Sequence, residues 1–96
     1  MRLDDILEVR ISARIADKLW AKHSVAEEEV YEVIENEEDL PRLRRSNAEP
    51  GSYLVYGRTL AGRYLVVALF PKGRGVVNVA TARDMTAAER KLYGRK

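Results

Sequence analysis

The residues best suited to chemistry cluster toward the C-terminus: Arg83, then Glu89, Arg90 and Tyr93. An arginine offers a planar fork of N–H donors that fits a phosphate better than a lysine does. Glu89 could accept a proton if an apolar surface raised its pKa. Tyr93, four positions on and so on the same side of a helix, could donate a proton or stack on a flat ring. Upstream, Arg58 and Arg63 flank Leu60-Ala61-Gly62, so both could reach one rim. Lys22 and His23 adjoin each other, and His23 is the one imidazole in the chain, a side-chain type suited to acid or base work near neutral pH. Such a set suits cleavage of a phosphodiester by its own neighbouring hydroxyl. That reaction needs a base, cations for the developing charge and an acid for the leaving oxygen, and no metal.

Each of these residues also has an ordinary structural role. Glu89 stands three positions after Thr86 and would complete a capping box. Tyr93 could pack on a sheet, the arginines could form surface ion pairs, and His23 could cap a helix C-terminus. With one histidine and no cysteine, a structural zinc site is not expected. Phosphate-loop, dinucleotide-binding, EF-hand and nucleophile-elbow patterns are absent, and no cofactor is expected.

The elements that must position these groups can be read in order. Residues 6–11 alternate apolar and polar, a strand of about six residues. Ser12 would cap a helix near 13–22 whose apolar stripe is Ile15, Ala16, Leu19 and Trp20. Arg14, Lys18 and Lys22 form a basic row beside that stripe. Ser24 with Glu27 would open a second helix, buried through Ala26, Val30, Val33 and Ile34 and ending near Asn36. Residues 40–46 suggest an edge strand, because Pro41 argues against a central one. Strands follow at 53–59, 64–70 and 76–82, joined by turns at 60–62 and 71–75, and a short helix carries Ala88, Leu92 and Tyr93. Trp20, Phe70 and most tyrosines are expected in the core. The expected fold is α+β: an N-terminal strand, two helices, an antiparallel meander of three to five strands, and a short C-terminal helix.

The 96 residues suit one domain, spanning 1–96, and the apolar fraction of 46% suits a globular one. Residues 1–50 hold eight Lys/Arg against thirteen Asp/Glu, a net −5, whereas residues 51–96 carry a net +7. A basic C-terminal half invites a polyanion. Met1 to Arg10 has no apolar core of a signal peptide, and no apolar run nears the roughly 20 residues of a membrane span. A cytoplasmic location without membrane contact is expected.

Two segments resemble the BrnT-type ribonuclease toxins of bacterial type II toxin–antitoxin pairs. Lys22-His23-Ser24-Val25 followed by Glu27-Glu28 is similar to a Lys-His-Gly-hydrophobic element before a Glu-Glu helix, with Ser24 in place of the glycine. The second segment starts at Gly57-Arg58-Thr59 and Gly62-Arg63, continues through Leu65-Val66-Val67 and Thr81-Ala82-Arg83, and ends at Glu89-Arg90 with Tyr93. The resemblance implies a RelE-like fold, RNA cleavage, neutralisation by a cognate antitoxin, and operator DNA binding only through the antitoxin complex. On this reading Arg83, Glu89, Lys22 and His23 are the catalytic candidates. Arg58, Arg63, Arg90, Tyr93, Lys18 and Arg14 would bind RNA. Lys22, Arg58, Arg63 and Arg83 should then converge on one concave surface. The alternatives are a non-catalytic toxin-like interaction protein and a nucleic-acid-binding module without chemistry, and an uncovered sheet edge leaves room for a homodimer.

Overall fold

A computed structural model describes residues 1–94. After a 3-10 turn at Leu3–Asp5 come β1 (Glu8–Arg10), α1 (Ala13–His23), α2 (Glu27–Glu35), β2 (Arg42–Arg45), β3 (Tyr53–Arg58), β4 (Tyr64–Gly73), β5 (Val76–Asp84) and α3 (Ala87–Tyr93). The five strands form one sheet in the order β1-β5-β4-β3-β2. The meander from β2 to β5 is antiparallel, as expected from its short turns. β1 instead lies parallel to β5 at the far edge. A strand separated from its neighbour by most of the chain is not held to the hairpin direction, and here two helices lie in the connection.

The strand period divides the sheet into two unlike faces. Leu65, Val67 and Leu69 of β4, with Val55, Val77, Val79 and Ala82, pack under Leu19 of α1 and Val30 and Val33 of α2. Val66, facing the other way, packs with Met85 and Tyr93 beneath α3. β4 is therefore covered on both sides, which accounts for its unbroken apolar run. Gly57 sits where α2 crosses β3. A Cβ there would lie 2.9 Å from Val33 Cγ1 and 3.1 Å from Pro41 Cβ, so glycine sets the depth at which Arg58 emerges.

Local sequence accounts for most helix ends. Ser12 Oγ accepts from Ile15 N–H at 3.2 Å, and Asn36 terminates α2. Ser24 does not open α2 but closes α1, in the left-handed conformation with φ 52°. α2 starts two residues later, where Glu29 Oε1 accepts from Ala26 N–H at 3.0 Å. Of three consecutive glutamates, the one that caps is fixed by the chain's exit from α1. The left-handed C-terminal position is one that glycine occupies without steric cost. Ser24→Gly should therefore stabilise the protein by about 0.5–1 kcal/mol, raising Tm by several degrees in a thermal melt.

Three further expectations change. Trp20, assigned to the buried stripe, is 63% exposed, and Leu92 is 51% exposed, so α3 docks through Tyr93. β1 is shorter than expected, because Ile6 and Leu7 belong to the lead-in. β4 runs on through Pro71 to Gly73, with a register shift at that point, which leaves only a tight turn around Arg74. A bulge tolerates a proline because one ladder hydrogen bond is already missing there.

Candidate nucleic-acid interface

The face carrying α3 holds a row of aligned residues. The register pairs Arg42 with Tyr56, Tyr56 with Val66, and Val66 with Arg83, so one line crosses β2, β3, β4 and β5. Arg44 and Leu54 lie one step along on the same face, and Arg58 and Tyr64 one step the other way. Arg42, Arg44, Tyr56, Glu89, Leu92 and Tyr93 line a cleft between β2 and α3.

Arg83 is held from α3. Its Nη1 donates to Glu89 Oε1 at 2.7 Å and its Nη2 to Glu89 Oε2 at 2.9 Å. Nη1 also donates to the Asp84 carbonyl at 3.0 Å. Glu89 itself is fixed by the capping box that the sequence indicated. Its Oε1 accepts from Thr86 N–H at 2.8 Å, and Thr86 Oγ1 accepts from Glu89 N–H at 3.2 Å. The Glu89 hydrogen bonds hold the Arg83 pKa above its ordinary value. Hydrogen bonding by Arg83, against the opposing effect of burial, holds the Glu89 carboxyl down at about 2. The elevated pKa that would make Glu89 a base is therefore not found in the free protein. The geometry leaves the Nε–Nη2 edge of Arg83 without a protein acceptor among the described residues, apart from the one Nη2 donor used by Glu89. That edge presents two parallel N–H donors with the spacing a phosphate or carboxylate can meet bidentately.

The Arg58 and Arg90 guanidinium groups both lie over the Tyr64 ring, 4.8 and 4.4 Å from its centroid. Tyr64 meets Tyr93 edge-on at 6.0 Å. Such stacking keeps the cations in place without neutralising them. Arg58 also donates to Asp39 at 3.4 Å, and the Tyr93 hydroxyl donates to Asp39 at 2.9 Å. Arg42 and Arg44 make no side-chain ion pair with any described residue. Sequence alone does not single out these two arginines or Tyr56. The signal was present, since Arg42 and Arg44 alternate with Leu43 along a strand. Only the register, however, shows that this alternation faces Arg83.

The expected convergence of Lys22, Arg58, Arg63 and Arg83 on one surface is not found: the sheet divides them between its two faces. Arg58 and Arg83 share the α3 face with Glu89, Arg90 and Tyr93. Lys22 and His23 end α1 on the other face, and Arg14 and Lys18 lie exposed along α1. Arg63 points toward the helices and has all five N–H donors engaged. Nε and Nη2 donate to Asp84 at 2.7 and 3.0 Å, and Nη1 to Ser24 O at 2.8 Å and Glu29 at 3.1 Å. Nη2 also reaches His23 O at 3.0 Å. Arg63 thus binds both ends of the α1–α2 junction to the sheet and has no donor left for a phosphate.

The architecture defined by this sheet, with two helices on one face and one short helix on the other, is a BrnT-like α+β fold. The crystal structure of the Brucella abortus ribonuclease toxin BrnT matches it with a TM-score of 0.66, covering 83% of this chain and 97% of that one at 11% sequence identity. At such identity the likeness is one of fold, and it agrees with the resemblance read from the sequence. No protein-family model matches the chain, and no curated protein matches it. No helix among the described residues is long and apolar enough to cross a membrane.

Proposed function

We propose that this chain is a metal-independent ribonuclease of the toxin–antitoxin type, cleaving RNA on the α3 face and neutralised by a cognate antitoxin protein. The observation that carries this reading is the Arg83 fork, oriented by Glu89 with one edge free, on a face that also holds Arg58, Arg90 and the unpaired Arg42 and Arg44. The fold likeness to a ribonuclease toxin supports it.

On this face the RNA phosphate lies on the Nε–Nη2 edge of Arg83, and flanking phosphates meet Arg42, Arg44 and Arg90. The substrate 2′-oxygen attacks phosphorus, the bond to the 5′-oxygen breaks, and a 2′,3′-cyclic phosphate forms. Arg83 stabilises the charge that develops on the non-bridging oxygens. A phosphate anion beside Glu89 disfavours its ionised form, so substrate binding raises its basicity and Glu89 takes the 2′-proton. Tyr56, which lines the same cleft, gives a proton to the leaving oxygen. Lys22, His23 and Arg63 have no place in this set.

The low pKa of the free Glu89 favours a second reading, RNA binding without cleavage. Purified protein incubated with RNA and a chelator separates the two. Cleavage leaving 2′,3′-cyclic phosphate ends at an unchanged rate is expected. Retention of intact RNA, with affinity falling steeply as salt rises, would establish the second reading instead.

A further inference from the structure

The helical face carries a feature that RNA binding does not use. Apolar side chains only partly buried against the main core, among them Leu3, Ile6, Val9, Ile15 and Ile34, lie along one side of the molecule. They line two adjoining open grooves of about 610 and 440 Å³ that share Val9 and Tyr31. One end, near Ser12 and Asn78, is neutral and polar except for Arg10, which is paired with Glu8. The other end is rimmed by Asp4, Glu35 and Glu37.

These three carboxylates have no hydrogen-bonding or ionic partner among the described residues. Glu35 is the last residue of α2, whose final turn contains no basic side chain. A helix C-terminus carries partial negative charge and favours cations, so an acidic cluster there opposes local stability. A local rule broken beside an open groove lined by apolar side chains and polar groups together marks a surface shaped for something other than the isolated fold.

We propose that this groove, between α2, β1 and the start of α1, receives an amphipathic helix of a partner protein. The apolar stripe of that helix fills the two hollows. Its Lys or Arg residues lie against Asp4, Glu35 and Glu37. The occupant is cationic because the rim is anionic and unpaired at the end where α2 adds its own negative pole. It approaches from the face opposite Arg83, so it and RNA occupy separate surfaces. The proposal does not depend on the nuclease reading.

The test uses the full chain and two synthetic helical peptides, each with leucines at i, i+3, i+4 and i+7 and a charged end of either lysines or glutamates. The lysine peptide should shift the backbone amide resonances of Ile6, Val9, Tyr31 and Ile34 in a two-dimensional NMR titration, and added salt should weaken it. The doubly substituted Glu35→Lys, Glu37→Lys protein should bind it at least tenfold more weakly while cleaving or retaining RNA as wild type does. Both substitutions are exposed and favour the α2 C-terminus, so the fold is kept. Equal binding of the two peptides, shifts confined to the sheet face around Tyr56, or undiminished binding by the charge-reversed protein would overturn the proposal. So would concentration-dependent self-association through the same residues, which would make the occupant a second copy of this chain.

Discussion

Arg83→Ala is expected to lower the rate of RNA cleavage by about 100- to 1,000-fold, the loss typical of removing one donor that meets developing oxyanion charge. The Arg83 side chain is 41% exposed, so its ion pair with Glu89 is solvent-screened and its removal should cost no more than about 1 kcal/mol of stability. Activity and stability therefore separate, which distinguishes a functional arginine from a structural one. Arg83→Lys sharpens the test: it keeps the charge but loses the fork, and its activity should fall between wild type and alanine. The same substitution has a pH signature. The folded Glu89 carboxyl, at about 2, lies below its unfolded value of about 4.3. The stability from this shift is fully present above the unfolded value and is lost as pH falls toward 2. Arg83→Ala should flatten that part of the urea midpoint profile. An alanine variant that cleaves RNA at the wild-type rate would remove Arg83 from the chemistry.

Much of this arrangement is legible in the sequence, and the limits follow from what short-range patterns encode. The caps at Ser12 and Thr86, the stop at Asn36 and the apolar β4 are local features and appear where the sequence placed them. The orientation of β1 is not local, since nothing in six alternating residues states which strand edge they will meet. Trp20 illustrates a second limit. Leu19 and Trp20 are adjacent on the helix, and only Leu19 falls under the sheet-facing arc. The division of the cations is a third. Arg58 and Arg63 flank one hairpin tip, five positions apart, but sequence alone fixes neither the height nor the face of either side chain. Strand parity sends Arg58 toward α3 and Arg63 toward α1 and α2. The resemblance to the toxin family picked out both arginines but did not distinguish one that holds the fold from one that is free to meet a ligand.

That division yields the largest stability effect expected here. Arg63→Ala removes every side-chain hydrogen bond at the α1–α2 junction that reaches Asp84, Glu29, Ser24 O and His23 O. Hydrogen bonds to charged groups contribute roughly 1.5–3 kcal/mol each when buried. The Arg63 side chain is 28% exposed and Asp84 60% exposed, so much of the nominal sum is lost to screening. A net cost of about 2–4 kcal/mol remains, because the helix-end carbonyls and Glu29 lose their donor. For a chain of this size that lowers Tm by on the order of 10–20 °C. Asp84 supplies the pH dependence. Its hydrogen bonds from Arg63 lower its folded pKa, so its contribution is present above the unfolded carboxylate value of about 3.9 and is lost as pH falls below it. The gap in stability between wild type and Arg63→Ala should therefore narrow in acid. At a temperature where the variant remains folded, its RNA affinity should match wild type, since no Arg63 donor is free to meet a phosphate. A variant that is as stable as wild type but fails to bind RNA would reverse the roles assigned to Arg63 and Arg83.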